Sequence, residues 1–201
     1  MEIVLISCPY FFDGEIELIT SMFEEGLDIF HLRKPGFNED KLDKFLQQIK
    51  TGYHSRIKVH ASTGLFDNYR LGGIHIPVEM AVESNIIELK KTKSISVSSS
   101  FHSLGEVKRK NEHIDYAFLS PVFDSISKKN YKCRFDYVEL KEVLPQANTR
   151  IIALGGCKAD NLKQVKQLGF SGAAVLGAVW NSADPFRSYI EIRKAASRLS
   201  D

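Results

Sequence analysis

The sequence contains few cysteines and no long apolar run. Its three cysteines, Cys8, Cys133 and Cys157, lie far apart and lack the short spacing of a metal-binding motif. This excludes a disulfide-stabilised secreted domain and favours a reducing compartment. Apolar runs such as Ile151–Leu154 are far shorter than the roughly 20 residues that a membrane span needs. Since the first residues also show no signal-peptide pattern, we expect a cytoplasmic protein without a membrane segment.

The chain also lacks an excess of charge of either sign. It has 27 Lys and Arg against 25 Asp and Glu, a formal net charge of +2. That balance argues against nucleic-acid binding driven by bulk positive charge. No linker-like or low-complexity stretch divides the 201 residues, which is a length that one globular domain accommodates. We therefore expect a single domain over residues 1–201.

Short β-rich apolar runs alternate with polar stretches of helical periodicity. The predicted strands are Ile3–Ser7, Asp28–Arg33, Ile57–His60, Gly73–Ile76, Ser94–Ser98, Asp115–Leu119, Arg150–Leu154 and Gly172–Leu176. The predicted helices are Gly14–Glu25, Asn38–Lys50, Leu65–Arg70, Val82–Lys90, Leu104–Lys110, Asp136–Val143, Asp160–Gln167 and Pro185–Leu199. Asn38, Ser103 and Asp160 stand where helix N-caps are expected.

Two folds accept this alternation, an open doubly wound sheet and a closed barrel. No G-x-G-x-x-G turn follows the first strand, which weakens the reading as a dinucleotide-binding sheet. Eight units, with glycines ending the last two strands, favour the barrel. The sequence therefore predicts an α/β fold, a closed eight-stranded parallel (β/α)8 TIM barrel, with its chemistry at the carboxyl ends of the strands.

The predicted strand ends carry groups suited to anions. Arg33 and Lys34 follow the second strand, and Lys128 and Lys129 follow the sixth. Glycines at the ends of strands seven and eight would let backbone N–H groups approach a phosphate; these are Gly155, Gly156 and Gly177. Ser125, Ser127 and Lys128 form a hydroxyl-and-ammonium loop suited to a second anionic group.

Histidines also collect at these ends. His31 and Arg33 lie two residues apart on one strand, so both face the same side. His31, His60 and His75 could in principle bind a transition metal, but their irregular spacing and the absence of carboxylate partners argue against it. A lone strand-end histidine such as His75 is more often a hydrogen-bonded packing residue, and Cys157 is more simply a packing residue than a reactive thiol.

These strand-end motifs together resemble one family along nearly the whole chain. The resemblance is to the thiamine-phosphate synthases and their TenI-like thiazole tautomerase relatives. The segments that carry it are His31-Leu32-Arg33-Lys34, Gly73-Ile74-His75-Ile76, Ser100-Phe101-His102-Ser103, Ser120 through Lys128, and Ala153-Leu154-Gly155-Gly156.

The resemblance implies a transferase that joins hydroxymethylpyrimidine diphosphate to a thiazole phosphate. In the family, Mg²⁺ helps the diphosphate to leave, and the thiazole nitrogen captures the pyrimidine cation. The implied roles are thiazole-phosphate binding by Gly155, Gly156, Gly177, Ser125 and Ser127, diphosphate binding and charge stabilisation by Arg33 and Lys128, and contact with the pyrimidine side by Ser100. His60 and Lys34 complete the predicted substrate-binding set.

The chain departs from the family pattern at its metal ligands. The Asn-Asp pair after strand three is His60-Ala61 here, and the second magnesium aspartate aligns with Met80. We therefore expect at most Mg²⁺ as a cofactor, without the carboxylate ligands that this ion prefers. The family lysine that closes the strand-two motif aligns with Pro35, and Lys34 is the candidate substitute.

The sequence leaves three functions open. The first is the synthase, and the second is a thiazole phosphate tautomerase, whose acid–base histidine aligns with Pro121 here. In that case His102, assisted by His31, would replace the proton shuttle, since an ordinary histidine pKa lies near 6.5. The third is a non-catalytic phosphate-ligand binding or regulatory protein. The resemblance also implies a dimer or higher oligomer, whose ligands are small phosphorylated thiazoles and pyrimidines rather than nucleic acid or membrane.

Overall fold

The computed structural model of the protein describes residues 1–124 and 132–199. Its strands are β1 Glu2–Ile6, β2 Ile29–Leu32, β3 Ile57–His60, β4 Gly73–His75, β5 Ser96–Phe101, β6 Tyr116–Leu119, β7 Arg150–Leu154 and β8 Gly172–Val175. Its α-helices are α1 Glu15–Glu24, α2 Glu39–Leu46, α3 Ser84–Lys93, α4 Leu104–Lys108, α5 Tyr137–Val143, α6 Leu162–Leu168, α7 Gly177–Trp180 and α8 Pro185–Ser197.

The eight strands close into a barrel in chain order, and every neighbouring pair is parallel. The ring is completed where β1 pairs with β8, with Glu2 opposite Gly172 and Leu5 opposite Val175. This confirms the predicted (β/α)8 barrel. Among the described residues, no helix has the length and apolar character required to cross a bilayer.

Alternation along the strands separates two apolar cores. Leu5 and Phe30 belong to the large core between the sheet and the surrounding helices. The smaller core fills the barrel itself; its buried members are Val4, Ile6, Tyr116, Phe118, Ile152 and Ala174. Because side chains two residues apart share a face, the register that points Ile29 into the barrel also directs His31 inward and Arg33 toward its mouth.

Most predicted elements exist, but several bounds differ. Residue Ser94 adopts a left-handed φ of 52° after α3, so β5 begins later than predicted and continues through Phe101. A 3₁₀ turn at Gly64–Asp67 replaces the helix that we predicted between β3 and β4. The N-caps predicted at Asn38 and Ser103 are confirmed by bonds to backbone N–H groups. The one predicted at Asp160 is wrong, because a 3₁₀ turn begins one residue earlier.

Candidate active site

The carboxyl ends of the strands surround one cavity of about 650 Å³. The predicted site residues that line it are Arg33, His60, Ser100, His102, Gly155, Gly156 and Gly177. They come from the ends of five different strands, which the closed barrel brings together. The structure thus gathers most of the predicted site at one place. Ser125, Ser127 and Lys128 lie outside the described residues.

The turn after β7 forms one wall of this cavity. Gly155 and Gly156 have φ values of 97° and 67°, a conformation that glycine adopts without strain. A Cβ atom on Gly156 would lie 2.4 Å from the backbone oxygen of Asp124, so no side chain fits there. The side-chain amide of Asn161 donates to the Gly156 carbonyl at 2.9 Å and holds the turn. This leaves a surface of bare backbone facing the cavity.

The adjacent wall is the start of α7. Gly177 and Ala178 line the cavity and are the first two residues of that helix. N–H groups in the first turn of a helix have no acceptor within it, so they are available to a ligand. Together with the Gly155–Gly156 turn, this wall can receive the oxygens of a phosphate group.

Three imidazoles meet at the base of the cavity. His31, fully buried, has its Nδ1 3.1 Å from Nε2 of His60 and its Nε2 2.5 Å from Oη of Tyr116. The ring of His60 stacks on that of His75, with centroids 4.3 Å apart. The Nδ1 and Nε2 atoms of His75 lie 3.0 and 3.1 Å from the hydroxyl oxygens of Ser98 and Ser100. The three rings are thus joined by one nitrogen–nitrogen contact and one ring stack, and we call them the histidine cluster.

The histidine cluster is uncharged at neutral pH. Burial lowers the pKa of His31 and His60 well below the ordinary value, and neighbouring positive groups lower it further. Burial and the charge of Arg33 lower the pKa of His75 to about 3. The positive charge that lines this part of the cavity comes from the exposed guanidinium of Arg33.

The structure places Lys34 away from the cavity. Its side chain is buried, and its ammonium lies 2.5 and 2.7 Å from the two carboxylate oxygens of Glu15. It also donates to the backbone oxygen of Tyr10 at 2.8 Å and lies 4.4 Å from the ring centroid of Phe11. All of these partners belong to α1 or the segment before it. This ammonium is therefore committed to attaching α1 to the end of β2.

His102 lines the cavity from the short segment between β5 and α4. Its backbone N–H donates to Oε2 of Glu106 at 2.8 Å, and its Nδ1 lies 3.4 Å from the carbonyl of Ser120.

Cys157 is buried, and burial raises the pKa of its thiol to about 12, which agrees with a packing role.

The described residues of the cavity do not fit Mg²⁺. Ala61 and Met80 occupy the positions of the two aspartates expected from the motifs. The carboxylates among the described lining residues are Glu79, which is exposed, and Glu106, which already accepts from His102 and Ser103. Mg²⁺ binds through carboxylates and retained waters. The disagreement predicted from the sequence thus persists in three dimensions.

Sequence reasoning missed Tyr116, which fixes the position of His31. Tyr116 and Phe118 are spaced to face the same side of β6, and both lie inside the barrel. The alternation rule applied to this strand would have directed the phenol inward. It could not have shown that the hydroxyl meets a histidine from β2, which depends on the register across the barrel.

The comparisons with known proteins agree along most of the chain. The sequence model of the family described as thiamine monophosphate synthase matches residues 3–179. The chain is 27% identical over 191 residues to a thiamine-phosphate synthase of Lysinibacillus sphaericus, covering 90% of this chain and 88% of the relative. It is 25% identical to that of Prochlorococcus marinus, covering 92% of this chain but 53% of the relative, so it spans about half the length of that protein.

Solved structures that superpose on this chain include proteins described as thiamine phosphate pyrophosphorylases. A thiamine phosphate pyrophosphorylase from Bacteroides thetaiotaomicron superposes with a TM-score of 0.82 and 33% identity, covering 100% of both chains. The corresponding protein from Pyrococcus furiosus superposes with a TM-score of 0.77 at 19% identity, which is a likeness of fold.

Proposed function

Because this chain belongs to the thiamine monophosphate synthase family, we propose that it joins hydroxymethylpyrimidine diphosphate to a thiazole phosphate and releases diphosphate. The family that the motifs predicted is confirmed, and with it the enzyme class, a transferase. The roles of individual residues in the reaction are part of the proposal. A dimer or higher oligomer and a cytoplasmic location stay predictions.

The observation that carries the proposal is one cavity with two separate places for anions. Arg33 supplies positive charge on the β2 side, and the bare backbone of Gly155, Gly156 and Gly177 stands on the β7–β8 side. A reaction between a diphosphate and a phosphate ester needs both places within reach of one another. The volume of about 650 Å³ lies within the roughly 300–1,000 Å³ of small-ligand sites.

The chemistry follows from this arrangement. The bond between the pyrimidine methylene carbon and the diphosphate oxygen breaks, and the oxygen keeps the bonding electrons. The thiazole nitrogen then donates its lone pair to the methylene carbon and forms the new C–N bond. Arg33 stabilises the charge that develops on the departing diphosphate, which is electrostatic catalysis.

The remaining residues hold and align the substrates. The glycine backbone binds the thiazole phosphate and so fixes its ring nitrogen near the methylene carbon, which lowers the entropic cost of reaction. We assign Ser100, which lines the cavity, to the pyrimidine and diphosphate side. We assign Ser125, Ser127 and Lys128 to the same anions, as an extension of the sequence motif.

A product assay tests this function. The purified chain is incubated with both substrates, in separate reactions with Mg²⁺, with Zn²⁺ and with chelator, and thiamine phosphate and diphosphate are quantified by mass spectrometry. Equal amounts of both products support the synthase. Thermal stabilisation by thiazole phosphate without product in any reaction would overturn it and indicate a binding protein.

A second candidate, a thiazole phosphate tautomerase, is favoured by the imidazoles of His60, His75 and His102, which line the same cavity as the glycine backbone. A tautomerase must remove and return a proton on one bound ligand, and histidine performs that task in many enzymes. Thiazole phosphate incubated alone with the chain in D₂O would then take up deuterium at carbon. Exchange that stops in His102→Ala or His31→Ala would support it, and no exchange above the enzyme-free rate would remove it.

A further inference from the structure

We propose that His31, His60 and His75 bind a transition-metal dication of the zinc type at the base of the cavity. The three side chains come from adjacent strands β2, β3 and β4, and His60 pairs directly with His75 in the β3–β4 register. One nitrogen from each residue can be chosen so that all three lie within 4.8 Å of one another. The three histidines are therefore brought together by the pairing of neighbouring strands, although their spacing in the sequence is irregular.

The distances approach those of a zinc site. Four ligands at a Zn–N distance of about 2.0–2.1 Å stand about 3.3 Å apart at the corners of a tetrahedron. The 3.1 Å between Nδ1 of His31 and Nε2 of His60 is close to one such edge. Since the three chosen nitrogens already lie within 4.8 Å of one another, a shift of up to about 1.5 Å brings the third to the same spacing.

Hydrogen bonds already orient the ligand atoms. The hydroxyl of Ser98 donates to the carbonyl of Ile74, so it accepts from Nδ1 of His75. Nε2 of His75 then carries a lone pair, which accepts from the hydroxyl of Ser100 at 3.1 Å and which a metal ion would take over. Tyr116 can accept from Nε2–H of His31, which leaves the lone pair on Nδ1, the atom that lies 3.1 Å from Nε2 of His60. Metal-bound histidines are commonly held by partners of this kind on their second nitrogen.

The environment selects the class of metal. Three neutral imidazoles suit Zn²⁺, Co²⁺, Ni²⁺ or Cu²⁺, whereas Mg²⁺ requires oxygen ligands. The cavity thus has nitrogen ligands suited to a zinc-type ion, whereas the two aspartates that would bind Mg²⁺ are replaced by Ala61 and Met80.

The fourth position is open to the cavity and favours an anionic ligand. His60 and His75 both line the cavity, so an ion at the cluster faces bound substrate. No carboxylate of the described residues joins the cluster, and Arg33 adds further positive charge. A diphosphate oxygen would offset that charge; this part of the inference rests on the proposed function.

The test is metal binding by the purified, chelator-treated chain without substrate. Titration with Co²⁺ is followed by calorimetry and by the visible absorption of four-coordinate cobalt. We expect one ion per chain, displaced by Zn²⁺ and not by Mg²⁺. His60→Gln and His75→Gln should each weaken binding more than about tenfold, and Tyr116→Phe about 10–100-fold. His113→Gln, outside the cluster, is the matched control and should bind normally.

Each outcome decides the proposal. No visible absorption and no heat at millimolar Co²⁺ would overturn it, as would unchanged binding in His60→Gln and His75→Gln. Circular dichroism of every variant separates loss of ligands from loss of fold. A chain that binds cobalt through these histidines but makes no thiamine phosphate would support the metal site and overturn the synthase. A chain that makes thiamine phosphate but does not bind cobalt would support the synthase and overturn the metal site.

Discussion

At the scale of single residues, Gly156 shows how backbone geometry forms the cavity wall that we assign to phosphate binding. Gly156→Ala should cost about 1–2 kcal/mol for the left-handed φ and about 1–3 kcal/mol more for overpacking, because the new Cβ meets Asp124 at 2.4 Å. Gly36→Ala is the matched control, since its φ is +81° but nothing lies within 4 Å of its Cβ. Urea unfolding and the KM for thiazole phosphate measure the effect. Equal losses in both variants would contradict the close approach.

Arg33 is the residue on which the proposed leaving-group chemistry depends. Arg33→Met should lower kcat by about 10²–10³-fold, the effect of removing one group that stabilises developing charge. The exposed Arg70 supplies the control variant Arg70→Met, which should keep full activity. Steady-state kinetics of diphosphate release make the measurement. A change confined to KM would assign Arg33 to binding alone.

The residue types at the strand ends could be predicted, but not every direction in which they point. Alternation places His31 and Arg33 on one side of β2, and the structure agrees. The same rule places Lys34 on the opposite side, where it meets Glu15 of α1. Family alignment had favoured it as a substitute ligand. The short distances between the three imidazoles of the histidine cluster could not be predicted, because they depend on the register across three strands.

At the scale of elements, the buried pair of Lys34 and Glu15 joins the end of β2 to α1. Lys34→Met should cost about 3–5 kcal/mol, since it leaves a buried carboxylate without a partner. The double variant Lys34→Met with Glu15→Leu should recover much of that loss. Lys50→Met removes an exposed partner of Glu24 and should leave stability unchanged. Urea unfolding measures all three, and an unimpaired Lys34→Met would contradict a buried ion pair.

The order and type of the elements followed from the sequence, whereas some bounds did not. The continuous apolar runs of β7 and β8 predict strands that are covered on both faces. The serine-rich end of β5 carries no apolar signal, since Ser98 and Ser100 face inward to bind His75. The helix predicted between β3 and β4 is a 3₁₀ turn whose Leu65 and Phe66 are buried. The apolar residues that suggested a helix are therefore buried by a shorter turn.

At the scale of the whole molecule, the neutral histidine cluster makes stability depend on pH. Unfolded histidine titrates near pH 6.5, while burial lowers the pKa of His75 to about 3 in the folded chain. Below pH 6.5 the unfolded chain binds a proton that the folded chain excludes, so the free energy of unfolding falls as the pH falls. For His75 alone the loss at pH 5 is about 2 kcal/mol.

Urea unfolding of the metal-free chain between pH 7 and pH 5 measures this loss. The lowered pKa values of His31 and His60 act in the same direction. His75→Gln should lose less stability than the wild type over this range, whereas His113→Gln should match the wild type. Parallel profiles for the wild type and His75→Gln would contradict the buried, neutral state of the ring.

The seam between β1 and β8 has a kinetic consequence. The strand synthesised first finds its second neighbour only when the strand synthesised last is in place, so closure requires the most distant contacts in the sequence. Contacts of that kind slow folding. Until they form, the sheet has two open edges with unpaired backbone groups, and such edges promote association with other chains. The nascent chain is therefore most prone to aggregate just before the eighth strand completes the ring.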